Sequence, residues 1–229
     1  MKVSIMQPYI FPYIGYFELI ESSDIFVFLD DANYIKKGWI NRNFLLANNK
    51  KLLFTVPLKK ATQNKKINEI SLSDSYNDWL KKLKKTIIFN YKNSKNFDDK
   101  LNFFDEIMTF NSKNISELAS RSVEESFEFI SDSKKIFLKS SNLKIKGSSE
   151  DRIIKICTEL GATEYINLYG GVNLYKFDNF KKNNIDLKFI KTKDPMEYMS
   201  ILHLIMSDKK ISLKNYNLFG EKDFEKRKL

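Results

Sequence analysis

Two adjacent carboxylates end an apolar segment near the N-terminus and are the first candidates for chemistry. Asp30 and Asp31 close the apolar and β-branched run at residues 24–29. Adjacent carboxylates can raise the pKa of one member of the pair, so either residue is a candidate general base or amine-recognising group. Consecutive strand residues face opposite ways, which leaves the choice between Asp30 and Asp31 open. The alternative is that they cap the following turn.

A second polar group consists of Asn41, Arg42 and Asn43, which stand together outside the apolar runs. The planar guanidinium of Arg42 suits a phosphate or a carboxylate, because it can donate two parallel hydrogen bonds. The two amides suit sugar hydroxyls, and Lys37 adds positive charge nearby. We therefore expect this segment to bind an anion, with an ion pair to one of the two aspartates as the alternative for Arg42.

Two further groups occur in the C-terminal half. Asp151 and Arg152 open a helix predicted over residues 148–160. A cation opposes the helix dipole at that end, so Arg152 is a candidate for a ligand contact or for an ion pair across the sheet. Gly170 and Gly171 follow a predicted strand, where backbone N–H groups can approach a phosphate. A plain turn is the alternative for the glycine pair.

The counts of cysteine and histidine limit the chemistry. The chain has one cysteine and one histidine, which argues against an internal disulfide and against a closed zinc site. Cys157 recurs with apolar residues at helical spacing and is predicted to be a core residue. His203 stands in another apolar helical segment and is interpreted as an interior histidine. We expect no metal site.

The elements that must position these groups begin with a βαβ unit. The apolar run Lys2–Met6 is followed by a proline-containing turn at residues 7–12, by apolar residues at helical spacing from Ile14, and by a buried run at residues 24–29. This pattern predicts a parallel sheet, and such sheets bind ligands beyond the carboxyl ends of their strands. Gln7, Tyr9 and the two aspartates are expected at that edge.

The remaining segments predict an α/β fold with a Rossmann-like parallel sheet. A hairpin is expected over residues 44–58 and a strand over 67–72; helices over 76–90, 98–110, 115–130, 148–160, 174–182 and 200–206; and strands over 135–139, 164–168 and 186–190. We expect one domain over residues 1–219, with a core at 1–75 and 134–206 and a helical insertion at 76–133. Residues 220–229 are expected to be a polar tail.

Composition indicates the compartment and the class of partner. The 229 residues carry a formal charge of +10, which favours anionic small molecules, whereas no nucleic-acid-binding motif is present. No apolar run is long enough to span a membrane, and no signal peptide is recognisable. With a single cysteine, these features predict a cytoplasmic protein. They leave the oligomeric state open.

Several stretches together resemble one protein family. They are QPYIFPYIGYF at residues 7–17, DIFVFLDD at 24–31, WINRN at 39–43, TVPLK at 55–59, SEDR at 149–152 with the following Gly161 and Ala162, and YINLYGGVNLY at 165–175. The chain resembles the WbqC-like family of bacterial proteins, whose members tend to be encoded among genes for O-antigen, capsule or other surface-glycan biosynthesis. The resemblance implies a cytoplasmic biosynthetic role, with modification of an amino sugar as the expected activity.

Three positions depart from that family. Its members usually carry histidine at the position of Met6, tryptophan at that of Tyr13 and aspartate at that of His203. A second likeness is to nucleotidylyltransferases, which begin with a strand, a proline turn and a His-x-Gly-His motif at a helix N-terminus. Tyr13 and Tyr16 occupy the two histidine positions here, so the resemblance extends to the fold rather than to nucleotidyl transfer.

These observations combine into one predicted site. We expect Gln7, Tyr9, Asp30, Asp31, Asn41, Arg42, Asp151 and Arg152 to line a single cleft. The expected function is transfer of an acyl or aminoacyl group to a nucleotide-linked amino sugar, with an acyl thioester or another activated acyl compound as donor. The alternatives are a non-catalytic binding subunit of a glycan-assembly pathway and a nucleotidylyltransferase-like enzyme.

Overall fold

The N-terminal strand lies at the centre of a six-stranded sheet in the computed structural model, which describes residues 1–48, 50–193 and 198–225. Strand β1, Lys2–Met6, pairs in parallel with β2, Ile25–Phe28, with Val3 opposite Ile25. Helix α1, Ile14–Glu21, connects the two strands. The predicted βαβ unit is therefore confirmed.

The predicted hairpin is present but lies outside the main sheet. Strands β3, Arg42–Ala47, and β4, Lys50–Thr55, form a separate antiparallel pair, with Arg42 opposite Thr55. The hairpin contacts the core through Leu45 and Phe54, which are almost fully buried.

The later strands extend the main sheet on both sides of β1. Strand β5, Ile136–Lys139, lies beyond β2, whereas β6, Glu164–Leu168, and β7, Asp186–Thr192, lie on the other side of β1. These five strands are all parallel, and their chain order reverses between β1 and β6. This arrangement is a Rossmann-like sheet, as predicted.

An antiparallel edge strand completes the sheet. Strand β8, Tyr216–Phe219, pairs with β7, with Phe219 opposite Phe189. The sequence did not predict this strand. It is four residues long, and its two central side chains, Asn217 and Leu218, are both exposed, so the alternation that marks a half-buried strand is absent.

Helices surround the sheet, and those of the middle third lie between β4 and β5. The α-helices are α2, Tyr76–Tyr91; α3, Phe97–Met108; α4, Ile115–Ile130; α5, Ser140–Leu143; α6, Ser149–Glu159; α7, Phe177–Lys181; α8, Ile201–Met206; and α9, Glu221–Glu225. Part of the expected polar tail thus forms α9, and residues 226–229 lie outside the described residues. The division into core and insertion stays a prediction.

Two local predictions are wrong. Residues 67–72, predicted as a strand, form a 3₁₀ helix at Ile67–Glu69, because the buried Ile67 and Ile70 are three residues apart and share one side of a tight turn. The helix predicted over 174–182 begins only at Phe177. A second 3₁₀ helix, Tyr169–Leu174, occupies the preceding segment, including the glycine pair.

Two apolar cores cover the two faces of the sheet. On β2, Ile25 and Val27 pack with the apolar residues of α6, whereas Phe26 and Phe28 belong to the opposite core, which contains Phe127 of α4. Burial on both faces explains why the strands appear in the sequence as continuous apolar runs. Within the described ranges, no helix is both long and apolar enough to cross a membrane.

Candidate functional site

A cavity of about 680 Å³ opens at the carboxyl edge of the sheet, where β1 and β6 lie side by side. Met6 and Gln7, at the end of β1, and Asn167 and Leu168, at the end of β6, contribute to its lining. Because the strand order reverses at this point, it is where open α/β sheets place their ligands. We call it the switch-point cavity.

The turn after β1 forms one wall, and three other elements hold it. Phe11 is fully buried and has a left-handed φ of 42°, which is rare for a bulky residue. Its carbonyl oxygen accepts hydrogen bonds from Asn43 Nδ2 and Ser200 Oγ, each at 2.8 Å. Its N–H donates to Ser122 Oγ at 3.0 Å. The hairpin, the start of α8 and α4 thus stabilise a strained backbone beside the cavity.

Aromatic residues from this turn and from α1 shape the same wall. Tyr9 and Tyr13 line the cavity, and the Tyr9 ring lies 5.7 Å from that of the fully buried Tyr16. The Tyr16 hydroxyl donates to the Gln7 carbonyl oxygen at 2.8 Å. Gln7 is therefore held through its main chain, and its side-chain amide makes no hydrogen bond to any residue that the structure describes.

The opposite wall contains a directed network at the end of β6. The Leu168 N–H donates to Asn167 Oδ1 at 2.6 Å, which fixes the orientation of the amide. Asn167 Nδ2 donates to the hydroxyls of Tyr165 at 2.8 Å and Tyr175 at 3.1 Å, and the fully buried Tyr165 donates to Tyr175 at 3.3 Å. The Tyr175 hydroxyl thus accepts two hydrogen bonds, and its own proton has no acceptor within the described part of the chain.

The phenols of Tyr9 and Tyr175 are protonated at neutral pH. Burial raises the pKa of Tyr9 above its ordinary value of 10.0. Burial also raises the pKa of Tyr175, and the hydrogen bonds from Tyr165 and Asn167 lower it by less. Tyr9 and Tyr175 can therefore donate hydrogen bonds to a ligand but are poor bases.

Exposed apolar side chains surround the mouth, and cations lie behind two of them. Ile35, Trp39, Leu174 and Tyr198 line the cavity and are between 43% and 69% exposed. The Arg42 guanidinium lies 5.8 Å from the centre of the Trp39 ring, and Lys51 Nζ lies 5.7 Å from that of Tyr198. None of the described side chains that line the cavity is charged. Positive charge is therefore found at the rim.

The carboxylate of Asp30 is buried and accepts hydrogen bonds from other protein groups. It is 2% exposed, and its Oδ1 accepts a hydrogen bond from the Ser141 N–H at 3.0 Å. Its Oδ2 accepts from Ser141 Oγ at 2.7 Å and from Asn68 Nδ2 at 3.3 Å. Asp30 thus caps the start of α5.

Asp31, which follows β2, forms an ion pair with Arg152 of α6. Arg152 Nη2 lies 2.6 Å from Asp31 Oδ2, and Arg152 Nε donates to the Ile145 carbonyl oxygen at 3.0 Å. Burial acts to raise the pKa of Asp31, but hydrogen bonds from Arg152 and Ser140 and the charge of Arg152 outweigh it, so the pKa lies below its ordinary value. Asp31 is therefore ionised at neutral pH.

The other predicted residues lie at several places. Asn41 is buried, accepting from the Tyr34 hydroxyl and donating to the Val56 carbonyl oxygen, each at 2.8 Å. Arg42 closes its own loop, because Nε donates to the Gly38 carbonyl oxygen at 3.1 Å and Nη2 to that of the exposed Lys37. Asp151 pairs with Lys155 and lines a separate groove of about 630 Å³ between α6 and α7.

The structure thus brings together only part of the predicted set. The predicted residues that line the switch-point cavity are Gln7, Tyr9, Tyr13, Asn43, Gly170 and Gly171. Asn167 and Tyr175 also line it and were not singled out as site residues from the sequence. In the sequence, Asn167 could have been recognised as a site candidate because it is an amide inside an apolar strand. Its contact with Tyr175 could not be predicted, because that contact depends on the path of the chain after β6.

Within the described ranges, no group of three or more histidine, cysteine, aspartate or glutamate residues is arranged to hold a metal ion. Cys157 is buried in the core, and burial raises the pKa of its thiol to about 12. The thiol is therefore protonated at neutral pH and a weak nucleophile.

Comparison with known proteins identifies the family. The sequence is similar to a Mycobacterium tuberculosis (strain ATCC 25618 / H37Rv) protein described as "Uncharacterized protein Rv1507c", with 28% identity over 168 residues, which cover 72% of this chain and 71% of the relative. No solved structure matches the chain. Residues 7–207 match the family described as "WbqC-like protein family". Because that match covers most of its length, the chain belongs to the WbqC-like protein family.

Proposed function

We propose that the chain binds a nucleotide-linked amino sugar in the switch-point cavity and transfers an acyl or aminoacyl group to its amine. The observation that carries the proposal is an aromatic cavity whose described lining is uncharged, below a rim that holds cations; among its hydrogen-bond donors without a partner in the described residues are the Gln7 amide and the Tyr175 hydroxyl. The family resemblance supports a place in O-antigen, capsule or related surface-glycan biosynthesis in the cytoplasm.

The distribution of charge supports an orientation for the substrate. The sugar and the base present flat or apolar faces, which suit the rings of Tyr9, Tyr13 and Trp39. The diphosphate stays at the mouth, because Arg42 and Lys51 lie behind the aromatic rim and no charged side chain lines the described interior. This arrangement leaves the phosphate oxygens hydrated and so avoids the cost of burying their charge.

The proposed reaction needs hydrogen-bond donors at the acyl carbonyl. The neutral amine of the sugar attacks that carbonyl, a C–N bond forms, and the bond to the leaving group of the thioester or other activated donor breaks. The amine proton leaves with the departing group or passes to water. Gln7 Nε2 and the Tyr175 hydroxyl, which both line the cavity, donate to the oxygen that gains negative charge and so stabilise the oxyanion.

Asp30 and Asp31 have a supporting role in this proposal. Their assignment as the acceptor of the amine proton stays a prediction, since both already accept hydrogen bonds from protein groups and neither lines the cavity. The Asp31–Arg152 pair joins the end of β2 to α6. The next residue along α6, Ile153, lines the cavity.

A non-catalytic binding subunit is the second candidate. It is favoured by the lack, among the described residues that line the cavity, of a carboxylate, histidine, lysine or cysteine that could act as base or nucleophile. A nucleotidylyltransferase-like activity receives less support, because Tyr16, at a motif histidine position, is fully buried and hydrogen-bonded to Gln7.

Mass spectrometry of reaction products tests the proposal. Purified protein is incubated with a panel of nucleotide-linked amino sugars and acyl thioesters or activated amino acids. We expect one sugar nucleotide to gain the acyl mass. Gln7→Ala and Tyr175→Phe should each slow the transfer about 100-fold, as loss of one oxyanion donor does. Lys182→Ala, in the α6–α7 groove, is the matched control and should react normally.

The outcomes separate the two candidates. Saturable thermal stabilisation by a sugar nucleotide without any product would favour the binding subunit. Neither stabilisation nor product across the panel would reject both.

A further inference from the structure

The mouth of the switch-point cavity continues onto the outer face of the hairpin. Phe44 and Leu53 lie opposite each other on β3 and β4, and the next residues along the two strands, Leu45 and Phe54, are buried. Because successive strand residues point to opposite faces, the side chains of Phe44 and Leu53 point away from the core. The centre of the Phe44 ring lies 5.8 Å from that of Trp39 at the mouth. The apolar side chains of the mouth and of the hairpin therefore form one surface.

This surface, which we call the mouth surface, exposes large apolar side chains to solvent. Its members are Ile35, Trp39, Phe44, Leu53, Leu174 and Tyr198. All of them except Phe44 are at least 43% exposed. Single exposed apolar residues are ordinary on a protein surface, whereas a contiguous group of them marks a place where another molecule binds.

The net charge of the chain is concentrated in the segment that carries most of the mouth surface. Residues 32–68 contain nine of the chain's 39 lysine and arginine residues and none of its 29 aspartate and glutamate residues. Because the formal charge of the whole chain is +10, the rest of the chain is almost neutral. Lys36 and Lys37 are exposed in the loop that also carries Trp39. The partner of the mouth surface should therefore be anionic.

The aliphatic side chains favour a lipid surface over a nucleic acid as this partner. A single-stranded nucleic acid stacks its bases on aromatic rings, and the exposed side chains of Ile35, Leu53 and Leu174 offer no ring for that contact. In a bilayer, aliphatic side chains enter the boundary between headgroups and acyl chains. Tryptophan and tyrosine also favour that boundary, because each has an apolar ring and one polar group. Neighbouring lysines attract anionic headgroups.

We propose that the mouth surface binds peripherally to an anionic lipid bilayer. The aliphatic side chains enter the boundary between headgroups and acyl chains, the Trp39 ring lies at the level of the headgroups, and Lys36 and Lys37 contact lipid phosphates. This binding does not rest on the proposed function. The rim cations Arg42 and Lys51 meet lipid phosphates in the bound state, so bilayer binding and uptake of a sugar nucleotide exclude each other.

Binding of the full chain to lipid vesicles tests this proposal. The wild type should sediment with phosphatidylcholine vesicles that contain about 30 mol% phosphatidylglycerol and should stay in solution with pure phosphatidylcholine, because anionic headgroups attract the lysines. Sedimentation should decrease as salt rises, since mobile ions screen exposed charges. Trp79→Phe leaves Trp39 as the single tryptophan, and its fluorescence should shift to shorter wavelength on the anionic vesicles as the ring leaves water.

Substitutions locate the surface that binds. The double variant Lys36→Gln and Lys37→Gln should weaken vesicle binding about fivefold for each lysine removed. Ile35→Ser should weaken it about three- to tenfold, because this half-exposed side chain loses its burial in the bilayer. The matched control is Lys181→Gln with Lys182→Gln at the end of α7. These lysines precede the start of β7, so they lie at the opposite edge of the sheet, and the control should bind like the wild type.

Four results would overturn the proposal. The first is neither sedimentation nor a fluorescence shift of Trp39 with anionic vesicles. The second is equal binding to pure phosphatidylcholine, which would show that the lysines do not direct it. The third is an equal loss of binding in the two double variants, which would make total charge rather than the mouth surface responsible. The fourth is a gel shift of a single-stranded oligonucleotide without vesicle binding, which would assign the surface to nucleic acid.

Discussion

At the scale of single residues, the carboxylates and the arginines that suggest chemistry in the sequence are mostly committed to holding the fold. Asp30 caps α5, Asp31 pairs with Arg152, and Arg42 closes its own loop. At the switch-point cavity, by contrast, the Gln7 amide and the Tyr175 hydroxyl keep protons that no described residue accepts. The charged side chains thus stabilise the elements around the cavity, whereas the described side chains that line it are neutral.

The Asp31–Arg152 pair yields a stability prediction. Both side chains are about 85% buried, so Asp31→Asn should lower the free energy of unfolding at pH 7 by about 1–3 kcal/mol. The pKa of Asp31 is lower in the folded protein than its ordinary value of 3.8 in the unfolded chain. The ion pair therefore contributes its full stabilisation above about pH 4, and this stabilisation is lost as the pH falls through the pKa of the folded protein. The difference between wild type and variant, measured by urea denaturation, should therefore shrink below about pH 4.

A matched control separates burial from charge. Asp151→Asn removes the partner of Lys155, but both side chains of that pair are more than half exposed. It should change stability by less than about 0.5 kcal/mol at pH 7. Equal losses in Asp151→Asn and Asp31→Asn would contradict the role given to the Asp31–Arg152 pair.

At the scale of elements, the sequence predicted the strands and helices whose apolar patterns are strong, and missed those set by tertiary contact. The strand Lys2–Met6 follows from a continuous apolar run, and the helix Tyr76–Tyr91 follows from apolar residues at helical spacing. Strand β8 and the 3₁₀ helix Tyr169–Leu174 do not, because pairing with β7 and the turn after β6 determine them. The Asn167–Tyr175 contact depends on that turn, which explains why the sequence did not reveal this part of the site.

Helix α1 yields a second prediction through Gly15. A Cβ at this position would lie 2.6 Å from Tyr13 Cε2, so Gly15→Ala must displace the Tyr13 ring from the cavity wall. Alanine favours a helix over glycine by up to about 1 kcal/mol, which offsets part of the strain. We expect Gly15→Ala to weaken binding of a nucleotide-linked amino sugar about tenfold in calorimetry, with a smaller change in thermal stability.

Gly161→Ala provides the comparison for this effect. Gly161 has a φ of +67°, and a Cβ added there would meet no atom within 4 Å, so alanine should cost about 1 kcal/mol of stability through backbone strain alone. The affinity of the Gly161→Ala variant for the nucleotide-linked amino sugar should equal that of the wild type. If Gly161→Ala loses affinity as Gly15→Ala does, global destabilisation rather than the position of Tyr13 is responsible.

At the scale of the whole molecule, the cavity lies where the strand order reverses between β1 and β6, in a chain whose formal net charge of +10 favours anionic partners. The sequence predicted the parallel sheet from the first βαβ unit, and ligand binding at the carboxyl edge of that sheet stays a prediction. It could not predict which polar residues of that edge face inward, because the loops after β1 and β6 decide this together.

The positive charges of Arg42 and Lys51 at the rim of the cavity lead to the third prediction. If Arg42 and Lys51 attract a diphosphate at the mouth, the affinity for a sugar nucleotide should fall as salt rises from 50 to 500 mM, because mobile ions screen exposed charges. Lys51→Gln should weaken binding about two- to fivefold at low salt, as expected for one exposed charge pair, and make it less sensitive to salt. Lys182→Ala should retain the wild-type salt dependence.

A crystal structure of the protein grown with a nucleotide-linked amino sugar tests the central claim most directly. The account predicts ligand density in the switch-point cavity, with the sugar within hydrogen-bond distance of the Gln7 amide and the Tyr175 hydroxyl and the diphosphate at the rim near Arg42 and Lys51. Density only in the α6–α7 groove beside Asp151, or an empty switch-point cavity at a ligand concentration that saturates binding in solution, would contradict it.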